Sequence, residues 1–278
     1  KAAGRQVVVG GDIVAPGGSI SLATRDMSQG AGPFPSSADA RYSTLIVDAG
    51  ATLSTAGTWI NDILDGPAAT TALALHGGKI SLNSAYDLDL RSGSRVDVSG
   101  GGRVDGSGKV RSGNAGSILL GTGGMSKSGG FDFATDYDRR DASLFLDGTL
   151  SGYGLGAGGK LEVNTSALAL GRAFAADSRH WSRAERLAAG QVGAAFTDEF
   201  FNQGGFFEFK LVGRDGVTVA DHATIAPRPL SWSLAGVADT RYQASGSAIA
   251  GFARTLALHD DQRSAPTRLS LGTRSLLF

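Results

Sequence analysis

Apolar and polar residues alternate along this chain in short bursts, and glycines separate the bursts. LDLRSGSRVDVSGGG, residues 88–102, contains the unit. Leu88 and Leu90, then Val96 and Val98, sit two apart with polar residues between them, and a glycine-containing turn joins the runs. Strand side chains point alternately to opposite faces, so each run predicts a strand with one aliphatic and one polar face. The text recurs. A Gly-Gly or Ala-Gly pair leads into an alternating strand at GGSISLAT from Gly17, GGKISLNS from Gly77, AGSILLGT from Ala115, GGKLEVNT from Gly158 and GGFFEFKLVG from Gly204. A second unit of strand, tight turn and strand falls between or after these, as TLIVDAGATLSTAG from Thr44, LFLDGTLSGYG from Leu144 and FKLVGRDGVTVADHATIAP from Phe209.

One such strand buries two aliphatics, at about 1.5–3 kcal/mol each. Ordering about seven residues costs about 1–2 kcal/mol apiece, so an isolated strand does not hold. Neighbours must repeat the pattern, which predicts an all-β parallel β-helix, or β-solenoid, with each strand paired to its counterpart one coil later. Glycines would occupy corners where φ is positive or stacked backbones leave no room for Cβ. On this reading the two runs of residues 88–98 are adjacent sides of one coil; in a hairpin they would pair with each other. A β-sandwich of short strands explains the alternation equally well but gives no reason to repeat the glycine pair five times.

Uneven spacing requires excess residues to loop out of a single segment covering 1–278. Breaks are expected at 25–41, where Pro33 and Pro35 oppose regular structure, and at 126–141. A helical insertion is expected over 172–203, capped by Asp177 or Ser178, with Trp181, Ala184, Leu187 and Ala188 on one face and Gly190 and Gly193 ending it. Residues 231–264 read as irregular, and the final LSLGTRSLLF as a strand restarting the pattern.

Composition narrows the function classes. The 278 residues carry no net charge, which gives no electrostatic case for nucleic acid or an anionic membrane. Glycine, at 42 residues, is about twice its usual share. Absence of cysteine excludes disulfides and thiolate metal sites. No run approaches the about 18 apolar residues of a membrane span, and the first residues read as strand and turn rather than signal peptide. An excerpt from a longer chain is expected, the alternative being a mature protein with its leader removed.

Each candidate for chemistry has a plainer structural reading. GLGAGGK, residues 154–160, matches phosphate-loop spacing, but an alternating strand follows it instead of a helix, so a coil corner is expected. Asp132, Asp136, Asp138 and Asp141 could supply calcium oxygens, yet Arg139 and Arg140 would neutralise two of them. Asp87, Asp89 and Asp97, with Arg91, Arg95 and Arg103, could form a polysaccharide-cleaving groove. Asp89 and Asp97 alternate with core aliphatics, which is also what a water-facing side looks like. His76, His180, His222 and His259 lack metal-ligand spacing, and Asn164-Thr165-Ser166 is a formal glycosylation sequon at a strand end. No cofactor site is expected. Phe200, Phe201 and Phe206 form a candidate contact patch, or seat the insertion against the β-structure.

GGDIVAPGGSISL, TLIVDAGATLSTAG, SGSRVDVSGGG and FFNQGGFFEFKLVGRDGVTVADHATIAP resemble the large filamentous-haemagglutinin-like exoproteins of Gram-negative bacteria. The resemblance covers most of residues 7–230. It implies a right-handed parallel β-helix from the interior of a protein exported by two-partner secretion through an outer-membrane partner. It also implies location outside the cell or on its surface, and attachment to a host-cell or glycan ligand without catalysis. The family's asparagine-proline secretion module is not found here, and no catalytic residue carries over. The rival expectation is a β-helical polysaccharide lyase or hydrolase.

Overall fold

The computed structural model describes residues 2–4, 6–24, 44–66, 74–123, 142–234, 240–257 and 267–273. The breaks expected at 25–41 and 126–141 lie outside the described residues, as do the calcium candidates Asp132, Asp136, Asp138 and Asp141, and His259.

The described chain is mostly β, and its main sheets are parallel. The first sheet runs Ala2–Gly4, Ser19–Thr24, Lys79–Asn83, Ser117–Gly121, Gly159–Leu170, Phe206–Val219 and Arg268–Gly272, with Ala194–Phe196 joining Gly159–Leu170 on the side. The second runs Val7–Val9, Leu45–Val47, Leu88–Leu90 and Leu144–Leu146, and the third Ile13–Val14, Thr52–Ser54, Arg95–Asp97 and Thr149–Ser151. The chain visits first, second and third sheet in the same order four times. Leu88–Leu90 pairs with Leu45–Val47 and Leu144–Leu146, while Arg95–Asp97 pairs with Thr52–Ser54 and Thr149–Ser151. These neighbouring strands therefore do not form a hairpin with each other. The strand expected at the end of the chain is present as Arg268–Gly272, parallel to residues 208–212.

Register follows the glycine signature. Ser19, Lys79, Ser117, Lys160, Glu208 and Arg268 are successive partners across the first sheet. One residue on, Ile20, Ile80, Ile118, Leu161, Phe209 and Leu269 form an inward row; all but Leu269 are buried. Leu45, Leu88 and Leu90 from the second sheet and Leu53, Val96 and Leu150 from the third complete the same core. Just before the inward row, Lys79, Ser117 and Lys160 donate their amides to the carbonyls of Gly18, Gly78 and Gly116 at 2.9–3.0 Å. A Cβ at Gly78 would run into the Gly18 carbonyl oxygen, and one at Gly116 into that of Gly78. Close backbone approach, rather than positive φ, demands glycine here. A corner beside the first sheet buries paired hydroxyls, with Thr24 Oγ1 3.2 Å from Ser84 Oγ and Thr122 Oγ1 2.8 Å from Thr165 Oγ1.

Two smaller elements pack against the parallel sheets. Trp59–Asn61, Gly102–Val104 and Val110–Ser112 form a short mixed sheet. Within the segment expected to be irregular, Leu230–Ser233 pairs antiparallel with Arg254–Ala257, and 3-10 turns lie at Thr240–Tyr242 and Ile249–Gly251. Trp59, fully buried, donates Nε1–H to the Gln243 carbonyl and meets Phe252 edge-on at 5.2 Å. Buried Asn61 uses its whole amide: Oδ1 accepts from Ile63 N and Leu64 N, while Nδ2 donates to the Arg241 and Gln243 carbonyls. That satisfies a polar group whose burial would otherwise be costly.

Residues 172–203 hold a 3-10 turn at Ser178–His180, the six-residue helix Arg183–Ala188, the strand Ala194–Phe196 and a second 3-10 turn at Asp198–Asn202. The helix is capped by Ser182, not Asp177 or Ser178: Ser182 Oγ accepts from Glu185 N, and Glu185 Oε2 accepts from Ser182 N. Its anchoring side chain also differs from the apolar face expected. Leu187 is 45% exposed and Ala184 and Ala188 are exposed, whereas Arg186 is 4% exposed.

Candidate functional site: a groove beside the second sheet

The outward row of the second sheet reads Val8, Ile46, Asp89, Phe145. Alternation places these four away from the core, and three of them are apolar. The insertion covers one half of this face, so that Phe145 and Asp89 are 7% and 8% exposed, while Val8 remains 52% exposed. Between the two halves lies a groove of about 860 Å³, lined by Gln6, Thr44 and Ile46 on one side and His180, Trp181 and Leu187 on the other. Tyr86, Asp87, Asp89, Arg91, Phe145, Arg179 and Arg186 contribute its polar and aromatic floor.

The insertion is held down by charge. Arg186 Nη1 donates to both carboxylate oxygens of Asp87 at 3.1 and 3.0 Å, and Nη2 donates to the Tyr86 hydroxyl at 3.0 Å. Its guanidinium carbon lies 5.6 Å from the Phe145 ring centroid, and that of Arg179 is at the same distance, within cation–π range. Arg179 pairs with Asp147 and, at 3.5 Å, with Asp89. Arg91 pairs with Asp48 and, at 3.4 Å, with Asp89. Burial pushes the Asp89 carboxyl above the usual aspartate range, and the positive charges of Arg179 and Arg91 offset this only in part.

The six residues proposed from sequence as a polysaccharide groove fall in three places. Asp87, Asp89 and Arg91 meet here. Asp89 is covered instead of solvated, because Arg179 and Phe145 close over it. Arg95 and Asp97 face a second hollow of about 620 Å³, bordered by the stacked pair Tyr153 and Trp232. Arg103 joins the buried carboxylate of Asp62 elsewhere. Arg179, Arg186 and Phe145 were missed, although the concentration of arginine at 172, 179, 183 and 186, opposite outward aspartates on the strands, was a usable signal.

The remaining candidates resolve simply. Phe201 and Phe206 are 1% and 4% exposed, and half-buried Phe200 stacks on Phe196 at 4.4 Å. Phe201 and Phe206 pack with Phe209 in the core instead of facing outward, while half-buried Phe200 also meets Phe209 but lines two surface hollows. GLGAGGK leads into the strand Gly159–Leu170, with no helix N-terminus to hold phosphate. His76 Nδ1 accepts from Asn114 N, His180 lines the groove, and His222 has a positive φ of 64°. Asn164 Nδ2 donates to Glu162 within the first sheet. Among the described residues, no three His, Cys, Asp or Glu side chains gather as a metal site needs. No helix among them is long and apolar enough to cross a membrane.

No family model, curated protein or solved structure matches the chain.

Proposed function

We propose that the chain is a stretch of right-handed parallel β-helix that acts as the shaft and attachment surface of a secreted exoprotein of filamentous-haemagglutinin type. The reading rests on one observation: successive copies of the glycine-led strand pair in parallel and in register while the chain cycles through three sheets around a shared core. Such an arrangement adds about 4.7–4.9 Å of length per repeat and gives a stiff rod suited to reach and presentation. Export through an outer-membrane partner and display outside a Gram-negative cell follow from the sequence resemblance. The test is retention of host cells on surfaces coated with the purified protein. Saturable retention, competed by soluble protein, is expected; retention no better than on a coating of an unrelated β-rich protein overturns the reading.

A second reading, polysaccharide cleavage, is favoured by Asp89, a covered carboxyl with a raised pKa of the kind a general acid requires. Release of reducing ends or unsaturated sugars from polysaccharides, lost in Asp89→Asn, would establish it in place of the first.

A further inference from the structure

We propose that the groove between the second sheet and the insertion binds an uncharged saccharide chain, with the Trp181 indole as stacking platform and the fixed aspartate–arginine pairs as hydroxyl partners. This deepens the attachment reading and rests on it.

Three features carry the inference. The first is the unoccupied aromatic. Trp59 meets Phe252 and hydrogen-bonds Gln243, and Trp232 stacks on Tyr153 at 5.6 Å. Trp181, half-buried on the groove wall, has neither a ring partner nor an acceptor for Nε1 among the described residues. A half-buried indole without a ring partner among those residues, and with a polar edge, suits the apolar C–H face of a pyranose ring. Ile46 across the groove extends the apolar surface.

The second is the polar set. A sugar hydroxyl both donates and accepts, so it matches a carboxylate beside a guanidinium. Asp87 with Arg186, and Asp89 with Arg91 and Arg179, supply such pairs already held in place. The Arg91 and Arg179 side chains stay 44% and 21% exposed, which leaves guanidinium donors accessible beside the groove.

The third is charge and size. Arg91, Arg179 and Arg186 line the groove with Asp87 and Asp89, and Asp48 and Asp147, outside the lining, pair with Arg91 and Arg179, giving three guanidinia against four carboxylates. That set has no cationic excess to offset dehydration of a uronate or sulfate. About 860 Å³ lies in the range of small-ligand sites and admits more than one sugar ring.

The test is titration calorimetry of the whole chain with maltopentaose, cellopentaose and mannopentaose, and with oligogalacturonate as the anionic comparison. Binding of at least one neutral pentasaccharide, tighter than oligogalacturonate, is expected. Trp181→Ala should weaken it at least about tenfold and Trp181→Phe by less than about threefold, since a stacking face survives. Thermal melts show whether each variant folds. Should Trp181→Ala not fold, a saccharide-induced change in tryptophan fluorescence of the wild-type chain, diminished in Trp181→Phe, takes its place. No neutral binding, a preference for oligogalacturonate, or affinity and fluorescence change indifferent to Trp181 overturns the proposal. Cell retention without neutral-saccharide binding removes the groove proposal alone and leaves the attachment reading. Loss of both removes both.

Discussion

Arg186 donates to both oxygens of Asp87, 99 residues earlier in the chain, and to the hydroxyl of Tyr86 beside it. One side chain thereby ties the insertion to the second sheet. Asp87 also accepts from the Ser143 amide at 2.7 Å, so the same carboxylate bridges three segments.

Arg186→Ala should therefore cost more than an exposed ion pair would. Asp87 would keep the Ser143 amide but lose the Arg186 guanidinium in a nearly closed site, a change of about 3–5 kcal/mol when a buried pair is broken. Arg186→Lys should recover only part, because an ammonium does not reproduce the planar fork that reaches both Asp87 and Tyr86. Urea unfolding of the three proteins measures the order.

The glycine column predicts a sharp contrast between positions. Gly78→Ala should destabilise by about 1–3 kcal/mol, as overpacking does, because its methyl meets the Gly18 carbonyl. Gly10 has nothing within 4 Å of an added Cβ, and Gly10→Ala should stay within about 0.5 kcal/mol of wild type. Thermal melts of the two variants distinguish steric exclusion from a general sensitivity to losing glycine.

Phe201 is the better buried of two adjacent rings. Phe201→Ala should cost about 3–5 kcal/mol, and Phe200→Ala less, since Phe200 is only half-buried. If cell retention fell in Phe200→Ala while its melting curve did not move, the ring would be acting on a partner rather than on the core.

Two carboxylates should make opposite contributions to stability against pH. Asp89, raised by burial, holds its proton in the folded state at pH values where the unfolded chain has released it. Its contribution to stability therefore falls as pH rises from the ordinary aspartate range through the raised value. Burial also pushes Glu162 upward, but hydrogen bonds from Lys210 and Asn164 and the charges of Lys210 and Lys160 outweigh it, and its pKa is lowered. Glu162 thus stabilises above the ordinary glutamate range, and that contribution is lost as pH falls through its folded value. At neutral pH, Asp89→Asn should raise the melting temperature and Glu162→Gln should lower it. Melts across acidic to neutral pH should show both differences shrinking towards acid.

The strands and their partners were legible because their physics is local and repeated. Two-residue alternation marks which side of each strand is apolar, and a glycine pair at a fixed offset marks where the next copy must pass too close for a Cβ. From Ile20, Ile80, Ile118 and Leu161 alone, the inward row and its parallel register could be written down, as could the separation of residues 88–90 from 95–97. The groove was not legible. Alternation says that Asp89 points away from the core, but it carries no information about what arrives there from residues 172–203. Arg179 and Phe145 covering Asp89, Arg186 rather than Leu187 docking the helix, and Trp181 left on the groove wall are contacts across long sequence separation between unlike elements, settled only when the folded chain brings those charges within reach of one another.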